Sequence, residues 1–113
     1  MKLDKNTQEK LQELQVLEQN SQNLLLQKQA FELELNEVEA AIEETKKSDD
    51  EIYKIVSQIM LKAKKQDVLK ELEQKKEIFN LRLKSLENQE KLFNEKLEKL
   101  KKELEDKLKE TKE

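Results

Sequence analysis

The side chains that most often carry catalysis are missing from this chain. It has no Cys and no His, so neither a thiolate nor an imidazole is at hand as nucleophile, general base or zinc ligand. Without Gly the chain cannot build a phosphate-cradling loop of the Walker or dinucleotide type, where the backbone must approach the ligand closely. Carboxylates remain, but 26 acidic residues interspersed with 23 basic ones make solvated helix faces rather than a ligand set. No metal site, cofactor or enzymatic reaction is expected. The chemistry left to such a chain is association through apolar surface. Two sets of residues offer it: the β-branched and aromatic block Ile52-Tyr53-Lys54-Ile55-Val56-Ser57-Gln58-Ile59-Met60-Leu61-Lys62-Ala63, and apolar residues spaced regularly on either side of it.

The flanking residues define the elements. Before the block the seam reads Leu14, Leu17, Ser21, Leu24, Lys28, Phe31, Leu35, Val38, Ile42, Thr45; after it, Leu72, Lys76, Phe79, Leu83, Leu86, Glu90, Phe93, Leu97, Leu100, Leu104. Steps alternating between three and four keep each seam on one face of a slightly underwound helix, the pattern of a coiled coil. One antiparallel register satisfies both seams, setting Leu14 against Leu100, Leu17 against Leu97, Leu24 against Glu90, Phe31 against Leu83, Leu35 against Phe79 and Ile42 against Leu72. Small Ser21 then faces bulky Phe93, and the stem of Lys28 lies beside Leu86 with its ammonium in water. The centre of this register falls at Ser57, inside the block. The fold class expected is therefore mostly α: a long antiparallel two-helix coiled coil with a single β-hairpin at the bend. The competing reading, a parallel dimer of one long helix, has to explain why the heptad breaks at the centre of symmetry.

The boundaries expected are helix 1 over about 7–47, a β-hairpin over about 51–64 and helix 2 over about 67–110, within a single domain spanning 1–113. Asn6 and Glu9 have capping-box form, Lys46 and Lys47 suit a helix C-terminus, and Asp67 suits the N-cap of helix 2. Within the block, alternation sets Ile52, Lys54 and Val56 on one face and Tyr53, Ile55 and Ser57 on the other, with a turn near Ser57 and Gln58. Helix continuity through the block is the alternative. A two-stranded hairpin alone is marginal in water and leaves edges and an apolar face open. Ile52, Tyr53, Ile55, Val56, Ile59, Met60 and Leu61 are therefore the expected oligomerisation residues, covered edge to edge by the same block of other subunits.

Charge supports this pairing of arms. Residues 1–51 carry 6 Lys against 13 acids, a balance of −7, and residues 52–113 carry 17 basic residues against 13 acids, or +4. Opposed charges flanking the seam favour helix 1 with helix 2, each exposed pair contributing about 0.2–1 kcal/mol. Because acids alternate with bases along helix 2, no basic face for nucleic acid is formed. Met1-Lys2-Leu3-Asp4-Lys5-Asn6 holds no apolar run, so neither a signal peptide nor a membrane span is expected, and the cytoplasm is the expected location.

Ile52-Tyr53-Lys54-Ile55-Val56-Ser57-Gln58-Ile59-Met60-Leu61-Lys62 resembles the strand-turn-strand signature of beta-type prefoldin subunits. Glu71-Leu72-Glu73 and Leu86-Glu87-Asn88-Gln89-Glu90-Lys91 are similar to their second helix, and Gln27-Lys28-Gln29 with Glu32 and Glu37 to their first. The resemblance implies a jellyfish-like hexamer of two alpha-type and four beta-type subunits, with hairpins joined into a barrel platform and coils hanging from it. It implies a chaperone that holds unfolded polypeptide between coil tips without ATP and passes it to a group II chaperonin. The family usually has Gly where this chain has Ser57. Room for one hairpin only points to the beta type.

On that reading, apolar side chains at the free ends of the coil meet exposed hydrophobic segments of a client, many weak tips acting together. The client-binding candidates are Leu3, Leu11, Leu14, Val16, Leu100, Leu104 and Leu108. Of these, Leu14 and Leu100, with Leu11 and Leu104, also fit as the last seam layers, whereas Leu3, Val16 and Leu108 lie outside the seam. Lys99, Lys101 and Lys102 face either solvent or an acidic chaperonin surface. The alternative function is a passive coiled-coil scaffold that binds one folded partner.

Overall fold

The computed structural model describes the backbone of residues 4–112 and the side chains of residues 4–109. Two long helices, α1 (Lys5–Lys47) and α2 (Lys65–Lys112), enclose an antiparallel two-stranded sheet of β1 (Glu51–Val56) and β2 (Ile59–Lys64). With neither Gly nor Pro in the chain, nothing interrupts either helix from within. The residues divide into two compact units, split between Lys28 and Gln29 on α1 and between Lys84 and Ser85 on α2.

In the unit formed by the start of α1 and the end of α2, the seam is closed. Leu24, Leu86, Leu97, Leu100 and Leu104 are buried, and Leu14, Leu17, Ser21, Lys28, Glu90 and Phe93 are half-buried. Burial runs past the expected seam to Thr7, Lys10 and Lys107 at the same heptad spacing. Three ion pairs fix the antiparallel sense: Asp4 with Lys107 at 3.7 Å, Lys10 with Glu103 at 3.2 Å and Lys28 with Glu90 at 3.7 Å. The ammonium of Lys28, expected in water, thus turns to the one charged seam position opposite it.

The cap of α1 is Asp4, not Asn6. Its Oδ1 accepts the Thr7 amide at 2.6 Å and its carbonyl accepts the Gln8 amide at 3.0 Å. Both residue types cap well, but an ionised carboxylate also complements the positive helix end, and Lys107 holds this one from the other helix. The Thr7 hydrogen bonds, with help from Lys107, keep the Asp4 carboxyl below its ordinary pKa.

In the other unit, Val38, Ile42, Thr45 and Leu83 are buried, with Phe31, Leu35, Leu72, Lys76 and Phe79 half-buried. Phe31 and Phe79 meet with centroids 6.1 Å apart at 46°, and the chain's one arginine, Arg82, lies 5.6 Å over the Phe31 ring. This cation–π contact closes a layer whose rings are too wide to bury fully.

Helix α1 ends among donors that satisfy its last carbonyls. The Thr45 hydroxyl donates to Ala41 O at 2.6 Å, the Ser48 hydroxyl to Glu44 O at 2.6 Å, and Lys65 Nζ to Lys46 O at 3.0 Å and Ser48 O at 2.9 Å. Helix α2 begins at that same Lys65, directly after β2. Asp67 is therefore not the N-cap but a first-turn residue, where its charge still favours the helix dipole.

Candidate functional site

The side chains of the hairpin are the most exposed apolar group in its unit. Its register pairs Ile52 with Ala63, Tyr53 with Lys62, Lys54 with Leu61, Ile55 with Met60 and Val56 with Ile59, which leaves Ser57 and Gln58 as a two-residue turn. Ser57 takes φ 58°, the left-handed conformation that glycine adopts without steric cost and that favours glycine in tight hairpins.

One face of the sheet turns inward. Ile52, Lys54 and Ala63 are half-buried, and Lys54 Nζ reaches both carboxylate oxygens of Glu71 on α2, at 3.0 and 3.1 Å. Lys54, Ala63 and Glu71, with Val56, Leu61, Lys62, Lys64, Asp67 and Val68, line a hollow of about 370 Å³. The other face is bare: Ile55 is 69% exposed and Met60 64%, and Tyr53 is exposed beside them. Val56, Ile59 and Leu61 are exposed as well. Six of the seven oligomerisation candidates therefore stand open to solvent, with Ile52 half covered.

At the paired ends of α1 and α2 the client-binding candidates separate into two kinds. Leu100 is 7% exposed and Leu104 4%, and Leu14 is half-buried; these three belong to the seam, while Leu11 is half-buried next to the seam residue Lys10. Val16 is 59% exposed, and Leu108 is exposed too. Leu3 lies outside the described residues.

Sequence reasoning passed over Leu92, which is as exposed as Val16. Its signal was available: it precedes the seam residue Phe93 as Val16 precedes Leu17, so both stand on the flank of the coil. Two hollows lie along this flank, and Leu92 lines one of them. One, of about 310 Å³, is lined by Lys10, Glu13, Leu17, Lys96, Lys99, Leu100 and Glu103, and the other, of about 340 Å³, by Gln89, Leu92, Phe93 and Lys96. A wider hollow of about 680 Å³ runs along α2 between Lys70 and Lys84. It carries charges of both signs, Lys70, Lys76 and Lys84 with Glu73 and Glu77, and is lined from a single helix. The flank near the helix ends is the better candidate because both helices build its first hollow over seam residues, and the second, lined from α2 alone, adjoins it through Lys96. Among the described residues no helix is long and apolar enough to cross a membrane.

Comparison with known proteins agrees with this architecture. The family model described as "Prefoldin subunit" matches residues 8–111. The prefoldin subunit beta of Archaeoglobus fulgidus is 45% identical over 74 residues, 64% of this chain and 64% of that protein. That of Methanothrix thermoacetophila is 40% identical over 84 residues, 73% of this chain and 70% of that protein. The alignment thus spans just under two thirds of the first relative's length. The crystal structure of the prefoldin beta subunit from Thermococcus strain KS-1 superposes with a TM-score of 0.88 at 34% identity, covering 95% of this chain and 96% of that one.

Proposed function

The chain belongs to the prefoldin subunit family and resembles its beta-type members, and from that premise we propose that it is a subunit of an ATP-independent chaperone. Prefoldin is a chaperone family, not an enzyme family. In this reading residues 1–113 work as one prefoldin-like domain in the cytoplasm. The hairpin joins an alpha-type subunit and further beta-type copies, in a hexamer of two alpha and four beta. The coil ends hold unfolded polypeptide, prevent its aggregation and release it to a group II chaperonin.

The observation that carries the assembly is the bare hairpin face. An isolated two-stranded sheet is marginal in water, and Tyr53, Ile55 and Met60 form a contiguous apolar row on it. Partner hairpins that pair with its free edges cover that row and add ladder hydrogen bonds. For the clients, seam burial argues against Leu14, Leu100 and Leu104 as direct contacts, partial burial against Leu11, and exposure favours Val16 and Leu108; Leu3 stays a candidate on its sequence position alone.

The test replaces Ile55 and Ile59 together by Lys and measures mass in solution and suppression of aggregation of several unrelated denatured proteins. Dissociation with lost suppression is expected. A persistent assembly refutes the hairpin platform, and selective binding of one folded protein, with denatured chains ignored, would mark a scaffold.

A further inference from the structure

The two hollows near the helix ends share Lys96, so they form one lane along a single flank of the coil. Its floor is seam: Leu17, Phe93 and Leu100. Val16, one helical turn from Glu13 on the same face, and Leu92 stand on its two banks as exposed aliphatic side chains.

Charge along the lane is uneven. At its outer end Lys10 and Glu103 neutralise each other at 3.2 Å. Inward, the α2 bank presents Lys96 and Lys99, and among the described residues neither takes part in an ion pair. Glu13 is the single carboxylate among the lining residues outside that neutral pair. At the inner end Gln89 offers an amide, able both to donate to and to accept from a peptide backbone. From Gln89 to Glu103 on α2 the lane runs roughly 21 Å at about 1.5 Å per residue. An extended chain at about 3.3 Å per residue fills that length with about six residues.

Resting on the chaperone reading above, we infer that this lane is a binding groove for extended apolar polypeptide segments flanked by carboxylates. The segment's aliphatic or aromatic side chains lie on Val16, Leu17, Leu92 and Phe93, and its Asp or Glu side chains meet Lys96 and Lys99. The seam need not open for this. A buried Leu100 is then compatible with binding at the coil ends, because it floors the groove while the banks make the contact.

The experiment measures fluorescence anisotropy of two labelled eight-residue peptides with the full chain. Both have the same Leu-, Val- and Phe-containing centre, one with Asp at both ends and the other with Lys. The Asp-flanked peptide is expected to bind at least fivefold tighter at low salt, with the difference shrinking as salt screens the charges. Lys96→Glu with Lys99→Glu inverts the preference, and Val16→Glu with Leu92→Glu weakens both peptides tenfold or more while helix content holds, since neither site lies in the seam. Equal affinities, or a preference untouched by the lysine reversal, overturn the groove. A change in assembly mass on replacing Val16 and Leu92 also overturns it, because the lane is then a subunit contact. Suppression of client aggregation by the unaltered chain separates the two levels. If suppression persists without acidic preference, only the groove fails; if the unaltered chain neither binds peptide nor suppresses aggregation, the chaperone reading falls with it.

Discussion

Leu104→Ala tests whether the inner coil-end leucines hold the seam or touch clients. Leu104 is 4% exposed, at the same heptad spacing as Leu97 and Leu100. The substitution removes roughly three buried carbons at about 0.8 kcal/mol each, or about 2.4 kcal/mol. A cavity adds to this in a rigid core, but a two-helix seam has solvent on both flanks, and Lys10 and Lys107 stems close over the gap. The expected loss is therefore about 2–3 kcal/mol, which for a chain of this size lowers the helix melting midpoint by on the order of 10 °C. Thermal circular dichroism measures the midpoint, and amide exchange along α1 and α2 localises the loss to the unit that contains residue 104. Affinity for denatured client, measured well below the midpoint, should fall less than twofold. An unchanged melting midpoint with strongly reduced client binding would show that Leu104 is a contact residue and that the closed seam is the wrong description of the working state.

Ser57→Gly should stabilise the hairpin. Relief of a left-handed non-glycine residue is worth about 1–2 kcal/mol, offset by about 0.5–1 kcal/mol of glycine backbone entropy, so a net gain of about 0.5–1 kcal/mol is expected as slower amide exchange across β1 and β2. A net loss would show that the serine side chain does more than tolerate the turn. Acid should loosen the start of α1 through Asp4. The Thr7 hydrogen bonds hold its carboxyl below the ordinary aspartate range, so the folded state binds its proton more weakly than the unfolded chain. That contribution is fully present above the unfolded pKa and is lost as pH falls through the lower folded one. Exchange protection of the Thr7 amide should drop below about pH 4 in the native chain, and Asp4→Asn should flatten that dependence because the amide oxygen caps without titrating.

Both seams were legible because a heptad needs only spacing. All twenty expected seam positions are buried or half-buried, including Ser21, Lys28, Lys76 and Glu90, whose types alone argue against burial. The hairpin was legible because Ile52, Tyr53, Ile55 and Val56 break helical spacing with β-forming side chains. The caps were not. Asp4 and Asn6 are near equals as local signals, and the choice turns on Lys107, some hundred residues away in sequence, as well as on burying Thr7. Likewise Asp67 had the right chemistry for a cap, but Lys65 is tied to the carbonyls of Lys46 and Ser48 and starts the helix earlier. The flank of the lane was half legible: Leu92 could be assigned to a position beside the seam, but its role depends on Lys96 and Lys99 of its own helix standing, among the described residues, unpaired beside the hollow that Glu13 of α1 helps to line.

The energetics of the two units differ in kind, and on the proposed chaperone reading that difference lets one chain serve both assembly and capture. In the hairpin unit, the sheet is tied to α2 by Lys54 and Glu71, an exposed pair worth about 0.2–1 kcal/mol. That is too little to order a two-stranded sheet against the cost of fixing its backbone, about 1–2 kcal/mol per residue. Bare Ile55 and Met60 therefore need covering, and order in the hairpin should rise with assembly by mass action. In the other unit the seam is already closed by buried leucines, and its contacts are complete without a partner. What remains exposed there, among the described residues, are the side chains of Val16, Leu25, Leu26, Leu92 and Leu108, each too small a surface to bind one chain tightly. Weak contacts of that kind gain strength only when several copies act on the same client. On the proposed chaperone reading, tight association at the hairpin is thus the condition for useful binding at the coil ends, and a substitution that disperses the assembly should abolish capture even though it leaves every lane residue in place.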